Sequence, residues 1–196
     1  VPSIARAVRL APALAGLARP VGLVGLVGLA GCSKAQPPLS PDALTATVVT
    51  QAVENDSDDP AIWIDTVDAS RSLIVGTDKG DTTGGLYVFT LDGRIDSART
   101  RRPMKRTNNV DIISGVVLGG ARIDVAATTE RGAQALRLFR LPDMTPIDGG
   151  GIRVFDGDSS RAPMGIALYK RPSDGAVFAI VGGKSSPAEG YLWQYR

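Results

Sequence analysis

From Asp59 onward the apolar residues fall in short runs rich in Val, Ile, Leu and aromatic side chains, separated by Gly, Asp and Pro. No stretch keeps the i, i+3, i+4 spacing of a helix, so the pattern predicts an all-β chain of short strands and tight turns. Three segment types recur in a fixed order. The first is Pro-Ala-Ile-Trp-Ile at 60–64, Val-Asp-Ile-Ile-Ser at 110–114 and Met-Gly-Ile-Ala-Leu at 164–168. The second covers 73–77, 123–127 and 177–181, and the third covers 86–90, 136–140 and 192–195. Phe89 and Phe139 lie 50 residues apart and Tyr195 follows 56 later. A period near 50 with several strands per unit is the signature of β-propeller blades, and the chain holds about three of them.

The chain ahead of this repeat has a different character. Residues 1–31 carry Arg6, Arg9 and Arg19, no acid, and an apolar run at 21–30 that ends in Gly31-Cys32. The run is shorter than the roughly 20 residues a membrane-spanning helix needs and has the small-residue exit of a secretory signal. Leu29-Ala30-Gly31-Cys32 resembles the bacterial lipobox, which implies lipidation of Cys32 as the new N-terminus. Ser33 follows it in place of an inner-membrane-retaining aspartate, so the expectation is an exported protein, lipid-anchored at the outer membrane or cell surface. Residues 32–44 hold Pro37, Pro38 and Pro41 and read as an extended tether, with the folded domain over 45–196. The sequence starts at Val1 rather than Met and stops within the last repeat, so a longer parent is expected.

Composition narrows the chemistry. There is no histidine and one cysteine among 196 residues, which removes Ser-His-Asp and Cys-His catalysis, imidazole metal sites and internal disulfides. The formal charge of +2 comes from 22 Lys+Arg against 20 Asp+Glu; without the three arginines before Cys32 the balance is 19 against 20, or −1. The folded part therefore carries no signal for nucleic-acid binding. What remains is chemistry run on carboxylates, Lys/Arg, hydroxyls or a hard, oxygen-bound metal.

Two features carry such chemistry. Each second-type segment is followed by a cation, Lys79, Arg131 and Lys184, spaced by 52 and 53 residues. Blades bring equivalent positions to one rim, so these cations are candidates for converging there; three unrelated surface charges are the alternative. The other feature is Asp56-Ser-Asp58-Asp59-Pro60, whose carboxylates repel unless a cation or solvent relieves them. Oxygen ligands of this kind suit Ca²⁺, although the spacing is not that of an EF-hand, and a solvated acidic turn is the alternative. Asp156-Gly-Asp158 and Asp148-Gly-Gly-Gly151 read as turns.

Together these elements resemble the β-propeller phytases, calcium-dependent phosphomonoesterases acting on inositol phosphates. The resemblance rests on Asp56-Ser-Asp58-Asp59-Pro60-Ala-Ile-Trp-Ile-Asp65, Gly85-Leu-Tyr-Val-Phe-Thr-Leu-Asp-Gly93 and Asn108-Asn-Val-Asp-Ile112. It continues through Ile123-Asp-Val-Ala-Ala127, Gly165-Ile-Ala-Leu-Tyr169 and Val181-Gly-Gly-Lys184, covering about 48–196. It implies a six-bladed fold of which this chain is the N-terminal half. It implies hydrolysis of phytate (myo-inositol hexakisphosphate), of the 3-phytase type, by water activated at Ca²⁺, with no covalent intermediate. Lys79, Arg131 and Lys184 match the phosphate-contacting positions; Asp58 would hold calcium in the cleft, and Asp59 with the carbonyls of Pro60 and Val110 a structural calcium. Met164 stands where the family has a tyrosine, and Ser185 where an acidic residue is common. The other readings are a non-catalytic surface module that binds anionic ligands, a fragment inactive by itself, or a lactonase-like propeller hydrolase. The last leaves the in-phase cations without a role.

Overall fold

The computed structural model describes Pro38, residues 40–185 and residues 187–196. The export segment, Cys32 and most of the tether lie outside the described residues. Residues 45–196 form one compact unit of three consecutive antiparallel sheets, the blades of a partial β-propeller. Blade 1 orders β1 (Ser57–Trp63), β2 (Leu73–Asp78), β3 (Gly84–Thr90) and β4 (Arg101–Met104) from inside to outside. Blade 2 follows with β5 (Thr107–Leu118), β6 (Ala121–Glu130), β7 (Ala135–Leu141) and β8 (Thr145–Pro146), and β9 (Ile152–Arg153) also pairs with β7. Blade 3 has β10 (Pro163–Lys170), β11 (Val177–Gly183) and β12 (Leu192–Tyr195). Every segment of the three repeated types lies within a strand, apart from Ile64 at the end of the first. The short outer strands β4, β8 and β9 carry no apolar alternation and are not legible in the pattern.

The blades close on each other through apolar layers. Between blades 1 and 2 lie Trp63, Leu73, Val75, Leu86, Val88 and Met104 against Val110, Ala126, Phe139 and Leu141. Between blades 2 and 3 lie Leu136, Val154 and Phe155 against Val181, with Trp193 and Tyr195 at the margin. Polar bonds set the register of this packing. Trp63 Nε1 donates to Asp124 Oδ2 at 2.7 Å, linking β1 to β6. The Thr107 hydroxyl lies 2.7 Å from the Asp78 carbonyl, and the Thr129 hydroxyl donates to the Met164 carbonyl at 2.6 Å. The hairpin from β5 to β6 turns through Gly119 and Gly120, whose φ values of 57° and 80° suit the two-residue turn that matches strand twist.

The inner strands share one irregularity. Each is bulged by one residue near its start: between Ser57 and Pro60, between Thr107 and Val110, and between Pro163 and Gly165. Bulges re-aim side chains and are common beside functional sites. They put Asp58-Asp59, Asn108-Asn109 and Met164 in equivalent places opposite the end of the second strand.

Buried carboxylates hold that end in blades 1 and 2. Asp78, the last residue of β2, has no exposed surface. Its carboxylate accepts from the amides of Asn55 (3.2 Å), Asp56 (3.0 Å) and Gly80 (3.1 Å) and from Asn55 Nδ2 (2.9 Å). Burial pushes its pKa up, but these donors outweigh burial and hold it below the usual carboxylate value. Glu130, the last residue of β6, accepts from the Lys105 amide at 2.7 Å and from Arg137 Nη1 at 3.0 Å. Gly183 has the matching place in blade 3.

Two outcomes test this architecture. Phe139→Ala, which opens a cavity between blades 1 and 2, is expected to cost about 3–5 kcal/mol in urea unfolding. Asp78→Asn, which sets an amide donor against backbone donors, is expected to cost about 1–3 kcal/mol at neutral pH. Because the folded pKa of Asp78 is depressed, its stabilisation is present above the unfolded value near 4 and is lost as pH falls through the folded value. The gap between wild type and Asp78→Asn should therefore narrow in acid; a gap that stays constant below pH 4 would contradict an ionised Asp78 in the fold.

Candidate functional site: a cationic rim

The three in-phase cations occupy one structural position. Lys79 directly follows β2, Arg131 follows β6 and Lys184 follows β11. In each blade the cation's amide donates to the carbonyl of the residue just before the inner strand: Lys79 to Asp56 at 2.8 Å, Arg131 to Arg106 at 3.0 Å, Lys184 to Ala162 at 2.9 Å. In blades 1 and 2 the next residue is a glycine pressed against that same segment. A Cβ on Gly80 would come within 2.5 Å of the Asn55 side chain, and one on Gly132 within 2.8 Å of Lys105 Cβ. Blade 3 has Ser185 there. The cations are thus fixed by backbone geometry to the same end of successive blades.

Their partners differ from blade to blade. Lys79 Nζ lies 3.2 Å from Asp56 Oδ2 and 3.5 Å from Asp58 Oδ1, and the hydrogen bond to Asp56, set against some desolvation, raises its pKa. Arg131 Nη2 donates to Asn108 Oδ1 at 2.6 Å and its Nε reaches the Pro163 carbonyl at 3.5 Å. Among the described residues Arg131 has no carboxylate within salt-bridge distance. Burial first, and then the charge of Arg106, lower its pKa, while Asp58 and Asp81 oppose that; a guanidinium still stays charged at neutral pH. In blade 3 Met164 stands where Asp58 and Asn108 stand, and the exposed Lys184 has no ion pair among the described residues.

The residues matched to calcium lie at the start of β1 and β5. Asp58 faces Lys79. Asp59 is half-buried; its amide donates to Thr77 Oγ1 at 2.9 Å and its Oδ2 accepts from the Val110 amide at 3.0 Å, a link between the inner strands of blades 1 and 2. Pro60 begins the regular pairing after the bulge, opposite Gly76, and Val110 has the same place opposite Thr128. The oxygens gathered here fit a hard cation in kind. In number they supply only part of a shell, because no group of three acidic side chains converges among the described residues.

Sequence spacing finds the cations but misses Asn108 as the partner of Arg131, and Asp78 and Glu130 as the anchors behind Lys79 and Arg131. The acid–base doublets Asp78-Lys79 and Glu130-Arg131, in phase with one another, are the signal that would have found the anchors. The acidic turns read from sequence are structural: Asp158 accepts from Ser160 and Arg161, and Asp148 from Arg137 and the Leu138 amide.

Comparison with known proteins places this arrangement. A family model described as phytase matches residues 30–194. A 3-phytase of Bacillus subtilis (strain 168) is 28% identical over 159 residues, which span 76% of this chain and 38% of that relative. The matched stretch contains the three blades up to Gln194, with the bulged inner strands and the cations that follow the second strands, and the chain belongs to the phytase family.

Proposed function

We propose that the rim is the phosphate-binding part of a phytate-hydrolysing site, calcium-dependent and of the 3-phytase type. The observation that carries this reading is the repeated bond from the amide of Lys79, Arg131 and Lys184 to the segment entering each inner strand. It sets three cations at the same end of successive blades. Family membership and the 3-phytase relative support the substrate class.

Arg131 would clamp a phosphate with its guanidinium fork, oriented by Asn108. Lys184, with no ion pair among the described residues, would add a further charge, and Lys79 would stay close to Asp56 and Asp58. Asp58 would hold Ca²⁺ in the cleft, and Asp59 with the carbonyls of Pro60 and Val110 a structural Ca²⁺. Bound calcium would neutralise phosphate charge and activate water. The cations of the chain would stabilise the charge that builds on the equatorial oxygens during direct displacement. The acidic oxygens of the described residues fall short of a full calcium shell, so this 196-residue chain by itself is proposed to turn over little or no phytate. The same shortfall, with Met164 at the blade 3 position, favours the second reading, a non-catalytic module that captures anionic ligands. Export and lipid attachment at Cys32 belong to the same proposal.

The test is calorimetric titration of the chain with myo-inositol hexakisphosphate. Arg131→Ala and Lys184→Ala are each expected to weaken binding roughly tenfold, and Lys79→Ala by less because acids already neutralise Lys79. Affinity that does not respond to Arg131→Ala or Lys184→Ala would overturn the rim. Calcium-dependent phosphate release by the isolated chain, abolished by a chelator, would overturn its proposed inactivity and decide against the binding-module reading.

A further inference from the structure

The residue just before the inner strand is Asp56 in blade 1, Arg106 in blade 2 and Ala162 in blade 3. Only blade 2 has a cation there, and because the feature does not repeat, a search for periodic positions passes over it. Arg106 is tied to the rim on both sides. Its amide donates to the carbonyl of Gly80, the residue after Lys79, at 3.0 Å. Its carbonyl accepts from the Arg131 amide at 3.0 Å and from Asn108 Nδ2 at 2.9 Å. Arg106 therefore sits between Lys79 and Arg131.

We propose that Arg106 is a further anion-contacting residue of the rim, acting with Arg131 on a ligand that carries neighbouring phosphates; this rests on the anion-binding reading above. The backbone supplies one argument. Arg106 has φ of 57°, the left-handed region that glycine or asparagine occupies more easily. A long charged side chain is kept where local stability favours a small one, and strain of that kind collects at functional sites.

Electrostatics supplies another. The ion pair of Arg106 is with Asp81, whose side chain is 75% exposed. Such a pair is screened by water, holds the side chain weakly and exchanges readily for a more highly charged ligand. On the other side stands Arg131, half-buried and held by a neutral amide and a carbonyl. The charge of Arg106 acts on the Arg131 guanidinium, and an anion held by both would relieve that repulsion. Their forked donors match phosphate oxygens in pairs. A single inorganic phosphate engages one fork; adjacent phosphate esters on one ring engage both.

Titration of the full chain with myo-inositol hexakisphosphate and with inorganic phosphate, at one fixed salt concentration, tests this. Arg106→Gly suits the backbone and is expected to melt no lower than wild type, yet to bind the hexakisphosphate roughly tenfold more weakly. Inorganic phosphate binding should change much less. Asp81→Asn frees Arg106 and should tighten hexakisphosphate binding, and that gain should vanish in the Asp81→Asn, Arg106→Gly double variant. If Arg106→Gly binds like wild type while Arg131→Ala is weakened, this inference is overturned and the rim stands. If neither variant changes binding, the rim reading falls and this inference falls with it.

Discussion

One backbone hydrogen bond per blade governs the rest of this structure. The chain leaves the second strand of a blade and at once meets the segment that entered its first strand, and the amide of Lys79, Arg131 or Lys184 is spent on that segment's carbonyl. A residue pinned at its amide has its Cα fixed at the end of the blade, beside the start of the inner strand. Asp78 and Glu130 hold the same segment from below by accepting its free amides, and Gly80 and Gly132 permit the close approach that this needs. A buried carboxylate with that many donors is well satisfied; without them, ionisation at such a depth would be costly. The cationic rim is thus a consequence of how each sheet is closed, and side-chain packing is not what places it.

The inner strands raise a related difficulty, since each has a free edge with unpaired amides. At β5 and β10 a carboxylate from the preceding blade meets it. Asp59 accepts from the Val110 amide, and Asp111 accepts from the Leu168 amide at 2.7 Å. Asp59 therefore holds blades 1 and 2 in register in addition to any part in metal binding. Its two oxygens allow both, because the Val110 bond uses Oδ2 alone.

Much of this was legible in the sequence because the repeat imposes itself on residue types. Branched apolar runs marked the inner three strands of every blade, and constant spacing marked Lys79, Arg131 and Lys184. The outer strands were not legible, because β4, β8 and β9 are short, exposed in most positions and contain Pro103 and Pro146. Asp78 and Glu130 were hidden for a different reason: an acid beside a base at a strand end looks like solvated surface until burial is known. Arg106 was hidden because the value of its position depends on being unlike Asp56 and Ala162, and a search for periodicity discards such differences.

Those differences give the rim its direction. At blade 1 Lys79 is set against two carboxylates, Asp56 and Asp58, so that corner is formally negative. At blade 2 Arg131 and Arg106 share the corner with a neutral Asn108, and Asp81, exposed and to one side, offsets Arg106 in part. At blade 3 Lys184 has Met164 and Ala162 at the matching places, neither of which bears charge. Around one arc of the propeller the field therefore turns from cation-attracting to anion-attracting while the backbone stays the same. By charge alone, blade 1 favours a cation, and blades 2 and 3 favour an anion. Two positions per blade set this difference: the residue before the inner strand, Asp56, Arg106 or Ala162, and the bulged residue within it, Asp58, Asn108 or Met164.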